Sequence, residues 1–414
     1  MTLEKQASAL VKKIDQLVGP LATDKPCVFY VFDQIERIGH IAAEFFTLRS
    51  LFPLKDFHLV VLIGAQKVHA PHINHAVFNA FSEGITLVEV EDNIAAWLGQ
   101  QTLGLVENDD RQYLLVHAAI MLRMTMTQVM ANDAAITMQL NEQAQLKGLG
   151  LKKKLGVDIE APLVTLHVRE SGYIQNAPHH AYRDANIERY LPLVHQLLAE
   201  GYVVMRIGDA SMVRLNIMHP NFIDAPFHPH YDSFMDLYLT ASSRLFIGTF
   251  SGPQSISLAY NTPSLIVNAP ISSIGIRAHC DLLVPKKFYS RRARRALSYE
   301  EIVITDLPDC TRSEHFSRKG ITLLENSSDE IIAGFQELNA RIDNNYEIND
   351  TMATRIAQIN SIGHIVRQQT LIPKNTGDSP LGIPIDFYAP ALSKSDISQE
   401  YIKINPDFLH SYTV

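Results

Sequence analysis

A chain of 414 residues, 46% apolar and 19% charged with mean hydropathy near zero, has material for two or three well-filled domains. That balance excludes a fibrous or disordered protein. A net charge of −8 removes any general electrostatic reason to bind nucleic acid. Cys27, Cys280 and Cys310 are odd in number and far apart, so they form no disulfide framework and no paired metal motif, which predicts a reducing, cytoplasmic setting. Residues 1–20 interleave Lys5, Lys12, Lys13 and Asp15 with apolar positions, which reads as an amphipathic helix and not a signal peptide. No run of 18 uncharged apolar residues is present, so no transmembrane helix is expected.

Apolar strand-like runs alternate with helical patterns, the signature of an α/β chain with parallel sheets. In the first half the runs 27–32 (CVFYVF), 58–63 (HLVVLI) and 85–90 (ITLVEV) predict buried strands, with helices over 38–48 and 73–81. Residues 111–147 read as mainly helical, and the Gly-containing polar stretch 147–154 as a turn that ends the first domain. The second half predicts strands over 163–168, 202–207, 222–225, 244–248 and 264–268, with helices over 187–199, 234–242 and 253–260. Helices over 329–342 and 350–367 and a Pro-rich tail from 371 complete the chain. The expected organisation is three parts: 1–154, 155–345, and a returning helix and tail over 346–414.

The loops after the second-half strands carry the chemistry, because ligands of open α/β sheets bind at the carboxyl ends of the strands. After the first come His167, Arg169 and Glu170, with His167 and Arg169 on one side of the strand end by two-residue alternation. An arginine there can fork onto a diphosphate, or else pair with a carboxylate such as Glu170. The next loop, Arg206-Ile207-Gly208-Asp209, offers a tight turn at Gly208 and an acceptor at Asp209 for a ribose or base edge, or a plain helix cap. The third, Gly248-Thr249-Phe250-Ser251-Gly252-Pro253, joins a strand to a helix and can cradle phosphate through hydroxyls, amides and the positive helix end.

The strings LHVRE, RIGDASM and FIGTFSGPQSISLAYNTP, in that order, resemble the fucosyltransferase superfamily that includes the α1,6- and protein O-fucosyltransferases, over roughly residues 163–268. They are also similar to a bacterial glycosyltransferase family with RxGD and IGTxSG patterns. The resemblance implies a GT-B-like fold: two Rossmann-like domains with a nucleotide-sugar cleft between them. It implies that Arg169 holds the donor phosphates, that His167 and Asp209 contact the nucleotide, and that Thr249, Phe250, Ser251 and Gly252 line the phosphate pocket. Arg37, Gly39 and His40 resemble a donor-side loop of the same enzymes, with His40 in place of an asparagine. Ala210 replaces that family's second aspartate and Glu170 its second arginine, which points away from GDP-fucose itself.

The activity these features imply is hexosyl or deoxyhexosyl transfer from a nucleotide-diphosphate sugar, a GDP-sugar favoured, to a glycan or protein acceptor. The reaction is expected to be inverting, with no cofactor and no obligatory metal, because Arg169, Arg206 and the 249–252 turn can meet the leaving-group charge. Candidate bases are Glu170, His180 and Asp184. The alternatives are a sugar-nucleotide epimerase of the same shape and a non-catalytic nucleotide- or glycan-binding module. His69, His72 and His75 have ligand-like chemistry but spread around a helix, so no metal is expected. The basic run 286–295 reads as a solvated helix face, or as a contact for an anionic membrane or acceptor.

Overall fold

The computed structural model describes residues 12–13, 15–17, 25–68, 73–93, 95, 104–108, 111–116, 136–172, 178–271, 281–371 and 396–411. The described chain divides into two compact units, one ending at Ile136 and the other running from Thr137 onward.

The first unit holds a five-stranded sheet in the order β3-β2-β1-β5-β4. Its strands are β1 (Cys27–Phe32), β2 (His58–Gly64), β3 (Thr86–Val90), β4 (Gly104–Asn108) and β5 (Arg111–Val116). All pairs are parallel except β4 with β5. Every residue of β1 is buried, as expected for a central strand covered on both faces. Helix α1 (Ile38–Leu51) buries Ile41, Phe45 and Phe46, and Phe45 meets Phe32 and Phe78 edge-on with ring centroids 5.1 and 5.9 Å apart. Helix α2 (His75–Ser82) is capped by Asn74, whose side chain accepts from Val77 N at 3.0 Å. His75 opens this helix, while His69 and His72 lie outside the described residues. The reading of 111–147 as helix is corrected: 111–116 is a strand, because the β1 backbone offers it a parallel ladder that local apolar spacing cannot reveal.

The second unit is built on a seven-stranded sheet in the order β15-β11-β10-β9-β6-β7-β8, parallel throughout. Its strands are β6 (Leu163–His167), β7 (Val203–Arg206), β8 (Phe222–Asp224), β9 (Leu245–Gly248), β10 (Ser264–Ala269), β11 (Asp281–Pro285) and β15 (Asp396–Ile397). From β6 the chain winds outward through β7 to β8, then returns to the other side of β6 as β9 and winds away through β10 to β11. The direction of winding therefore reverses between β6 and β9, and their carboxyl ends flank a topological switch point. A small antiparallel sheet β13-β12-β14 (Arg295–Ala296, Lys287–Ser290, Ile321–Leu324) follows. The basic run 286–295 thus lies largely in this sheet and its turn, not on a helix face.

The stretch 147–154 is also corrected. It belongs to helix α3 (Glu142–Leu155), which Asn141 caps at its start and Gly156, with φ 71°, at its end. Within the second unit α3 packs on α5 (Phe234–Ser242), with α4 (Leu191–Ala199) and α6 (Gly252–Ala259) between other strands. The tail contributes β15 and a helix over Gln399–Ile404. Buried Glu337, on the helix Ser328–Ile342, fixes this tail by accepting from Ser398 Oγ at 2.7 Å and Glu400 N at 2.9 Å. Arg341 joins Glu337 to Asp396 at 2.7 and 2.6 Å. Among the described residues no helix is long and apolar enough to cross a membrane.

Gly148 and Gly150 make the α3–α5 contact testable. A Cβ at Gly148 would stand 2.0 Å from the Tyr238 ring, whereas one at Gly150 would meet nothing within 4 Å. Gly148→Ala should destabilise the protein by about 1–3 kcal/mol through overpacking, and Gly150→Ala should stabilise it by up to about 1 kcal/mol through helix propensity. Chemical denaturation of the two variants checks the opposite signs.

Candidate functional site

At the switch point the ends of β6 and β9 are laced together. Thr249 N donates to the His167 carbonyl at 3.1 Å, and Arg169 N donates to Thr249 Oγ1 at 3.0 Å. Ser251 Oγ lies 2.9 Å from His167 Nδ1 and 3.1 Å from the Thr249 carbonyl. The lacing needs a residue without a side chain at Gly248, where a Cβ would sit 2.5 Å from the Phe246 ring and 3.1 Å from the His167 carbonyl. Of the turn predicted to cradle phosphate, the Thr249 and Ser251 hydroxyls are therefore engaged within the protein. Ser251 stands at the N-cap of α6 without capping it by its side chain. The Gly252 N–H and the positive helix end remain for an anion, because Pro253 has no N–H. Phe250 is partly exposed beside them.

His167 is held neutral. Burial first, then the Arg206 and Arg169 guanidinium groups, push its imidazole down to about 4. It can orient a neighbour or donate one hydrogen bond, but it brings no positive charge to the site at neutral pH.

Arg169 and Arg206 have opposite fates. Arg206 is fully buried. Its guanidinium meets Glu170 at 2.5 Å, Asp224 at 3.2 Å and the Val213 carbonyl at 2.7 Å. The second Glu170 oxygen accepts from Val213 N at 2.8 Å, and Asp224 accepts from Leu215 N at 2.8 Å. This network ties the 213–215 backbone to the ends of β6, β7 and β8. Both oxygens of Glu170 are thus engaged, one by Arg206 and one by Val213 N, and the pair forms part of the framework at the strand ends.

Arg169, by contrast, keeps its terminal nitrogens without a hydrogen bond or ion pair among the described residues. Its Nε lies 2.9 Å from Asp184 Oδ1, an ion pair in which the N–H points off the hydrogen-bond line. Ala185 N donates to the Arg169 carbonyl at 3.0 Å, so the 184–185 segment is pinned to the end of β6 by backbone and side chain together. Burial raises the Asp184 carboxyl, against the lowering pull of Arg169, Lys286 and Arg183. His180 lies in the short 3-10 helix Pro178–Arg183, its ring 4.1 Å from that of His179.

Gly208 and Asp209 close the β7 end. Gly208 has φ 144°, and a Cβ there would stand 2.0 Å from Met212 Sδ. Asp209 accepts from Ser211 N at 2.8 Å, which leaves its other oxygen for a ligand hydroxyl or amide.

In the first unit, Arg37 and Gly39 bracket the start of α1, and His40 lies in its first turn. His40 Nδ1 lies 2.7 Å from the buried Glu44 carboxylate, which also accepts from the Tyr30 hydroxyl. The imidazole is half-exposed and the carboxylate behind it is buried. Sequence reading named His40 but missed Glu44 and Tyr30. The i,i+4 spacing of His40 and Glu44 was the available signal.

Sequence reading placed Lys286 only in the basic run 286–295; it lies just beyond the end of β11. It is 4% exposed and donates from Nζ to the Asp184 carbonyl at 2.6 Å. Three more cations of the basic run are engaged: Lys287 with Glu330 at 2.5 Å, Arg295 with Glu301 at 2.7 Å, and Arg291 with the Ser317 carbonyl at 2.7 Å. Among the described residues no group of three or more His, Cys, Asp or Glu side chains could hold a metal ion.

No family model and no curated protein matches the chain. Solved structures similar to it include a glycosyl transferase family 9 protein from Veillonella parvula, at 13% identity over 63% of this chain and 86% of that one, with a TM-score of 0.41. E. coli ADP-heptose LPS heptosyltransferase II matches at 13% identity over 63% and 90% of the two chains, TM-score 0.36. The iron-containing dodecameric glycosyltransferase TibC from enterotoxigenic E. coli matches at 11% identity over 78% of each chain, TM-score 0.38. TM-scores below 0.5 transfer no residue and no activity to this chain.

Two measurements test the site's electrostatics. Arg206→Ala removes a fully buried guanidinium and leaves two partly buried carboxylates without their partner, so it should destabilise the protein by about 3–5 kcal/mol in chemical denaturation. For His167, the unfolded imidazole titrates near 6.5 and the folded one near 4, so between these values the unfolded state binds more protons. Stability should therefore be complete above pH 6.5 and fall by about 3 kcal/mol as pH drops to 4. His167→Gln should flatten that slope.

Proposed function

We propose that this chain is a glycosyltransferase that holds the diphosphate of a nucleotide-activated sugar at the β6–β9 switch point of its second unit. One observation carries the reading: an arginine is locked at a strand end beside the N-terminal end of α6, with no hydrogen bond from its terminal nitrogens among the described residues. Asp184 meets Arg169 at Nε, and among the described residues no hydrogen bond uses the terminal nitrogens, the fork that can bind phosphate oxygens in pairs. In the reaction the acceptor oxygen forms a bond to the anomeric carbon while the carbon–oxygen bond to the diphosphate breaks. The electron pair of that bond passes to the phosphate oxygen, and the acceptor proton passes to a base. Arg169 and the α6 end stabilise the charge that develops on the leaving group. In this reading Asp209 meets the nucleoside, and the neutral His167 keeps Ser251 and the turn in register.

The finer reading follows the likeness of the three loops to fucosyltransferases: a GDP-sugar donor, inverting transfer to a glycan or protein acceptor, and charge neutralisation by side chains without an obligatory metal. The three-cysteine pattern supports a cytoplasmic setting. Contact of the basic run with an anionic membrane would rest on the exposed Arg292 and Arg294. At about 1 kcal/mol for each surface cation, that contact is weak and accessory.

A thermal-shift screen with GDP, UDP, ADP, dTDP and CMP tests the reading, because a ligand of the native state raises its stability by mass action. One diphosphate should raise the midpoint selectively, and Arg169→Ala should abolish that rise with its unliganded midpoint little changed. With the matching nucleotide sugar, acceptor-dependent release of nucleotide should fall about 100- to 1,000-fold in Arg169→Ala, the loss typical of a transition-state donor. Release without acceptor would favour an epimerase, and binding without turnover a binding module. An Arg169→Ala protein as active as the wild type would end the proposal.

A further inference from the structure

Lys286 presents a physical problem that the framework around it does not solve. It follows Pro285 at the carboxyl end of β11, on the same sheet edge as Arg169. Its side chain is buried, and its one polar contact among the described residues is the hydrogen bond from Nζ to the Asp184 carbonyl. An ammonium carries three N–H donors and a full charge. One neutral carbonyl satisfies a third of that capacity and none of the charge. Buried cations are ordinarily paired, because desolvating an unpaired one costs several kcal/mol. Asp184 and Glu325 pull on Lys286 electrostatically, yet no carboxylate lies within ion-pair distance of it among the described residues.

The position of Asp184 makes this informative. Its carboxylate meets Arg169 and its carbonyl meets Lys286, so one residue spaces two cations. Asp184 thus meets Arg169 through its carboxylate and Lys286 only through its backbone carbonyl. A sheet edge that concentrates positive charge in this way, with donors unsatisfied on both groups, is complementary to a dianionic ligand.

We propose that Lys286 is a second cationic arm of the donor site, acting with Arg169 on the diphosphate. This rests on the nucleotide-sugar reading above. The ligand's oxygens supply the acceptors that the amine lacks, and its charge balances the two cations. Arg169 binds as a planar fork and Lys286 as a point charge, so together they recognise the diphosphate and leave the choice of base to other residues. The direction of the Lys286 shift agrees: burial lowers it, as expected for an amine whose counterion arrives with the ligand.

The test is isothermal titration of wild type, Lys286→Gln and Lys286→Arg with inorganic pyrophosphate, with the nucleoside diphosphate selected in the thermal screen, and with its nucleoside. Glutamine keeps a donor for the Asp184 carbonyl and removes the charge. Lys286→Gln should bind pyrophosphate and the diphosphate at least tenfold more weakly, with nucleoside affinity unchanged, and Lys286→Arg should recover part of the loss. A folded Lys286→Gln that binds pyrophosphate within twofold of wild type would reduce Lys286 to a backbone clamp and overturn the proposal. Should Lys286→Gln fail to fold, the side-chain nitrogen resonance of Lys286 in the wild-type protein decides. A shift on adding pyrophosphate supports the contact, and an unmoved resonance at saturation overturns it. Wild type that binds neither pyrophosphate nor any nucleotide of the screen would instead overturn the nucleotide-sugar reading, and this one with it.

Discussion

The hydrogen bonds between the ends of β6 and β9 set the position of everything that follows them. Thr249 N on the His167 carbonyl and Arg169 N on Thr249 Oγ1 join two strands whose onward connections leave in opposite directions. Without this lacing the diverging loops would open a hole at the sheet edge. With it, the backbone of Arg169 is fixed, the α6 end is anchored through Ser251 and His167, and the crevice has a rigid floor. Gly248 is the steric condition for the arrangement, because any side chain there would drive into Phe246 and the β6 carbonyl.

On that floor, charge is sorted into two compartments. Glu170 and Asp224 both pair with the fully buried Arg206. Two residues C-terminal to His167, Arg169 meets a single carboxylate through a single nitrogen, and the same residue's carbonyl receives Lys286. One cluster is over-supplied with negative charge and closed. The other sets two cations, Arg169 and Lys286, about the one residue Asp184. The two arginines differ in the number of acceptors around them, not in distance from the sheet edge.

Much of the fold was legible from the sequence, for identifiable reasons. Strands β1, β2, β6, β7, β9 and β10 are short apolar runs bounded by Gly, Pro or polar residues, and their predicted limits agree with the observed ones to within about two residues. Strands β5, β11 and β15 were missed because they pair with β1, β10 and β11 from elsewhere in the chain, β15 through only two residues, and β4 was missed with them as the hairpin partner of β5. The site residues were found because strand ends can be counted, and the count brought His167, Arg169, Asp209 and Thr249 to one sheet edge. Their roles were less legible. Nothing local says that Glu170 turns to Arg206 while Asp184, fifteen positions along, returns to Arg169. Lys286 was hidden inside a run of basic residues that resembles a solvated face, and only the fold separates it from its exposed neighbours.

The account turns on the β6–β9 switch point being where an anionic ligand binds. Amide hydrogen exchange, measured with and without a saturating nucleoside diphosphate, tests this most directly, because Arg169 N and Thr249 N are themselves the lacing bonds. The account predicts slowed exchange at Arg169, Thr249 and Gly252 and in the 184–186 segment. Protection confined to other parts of the chain, with those amides unchanged under saturating ligand, would contradict it.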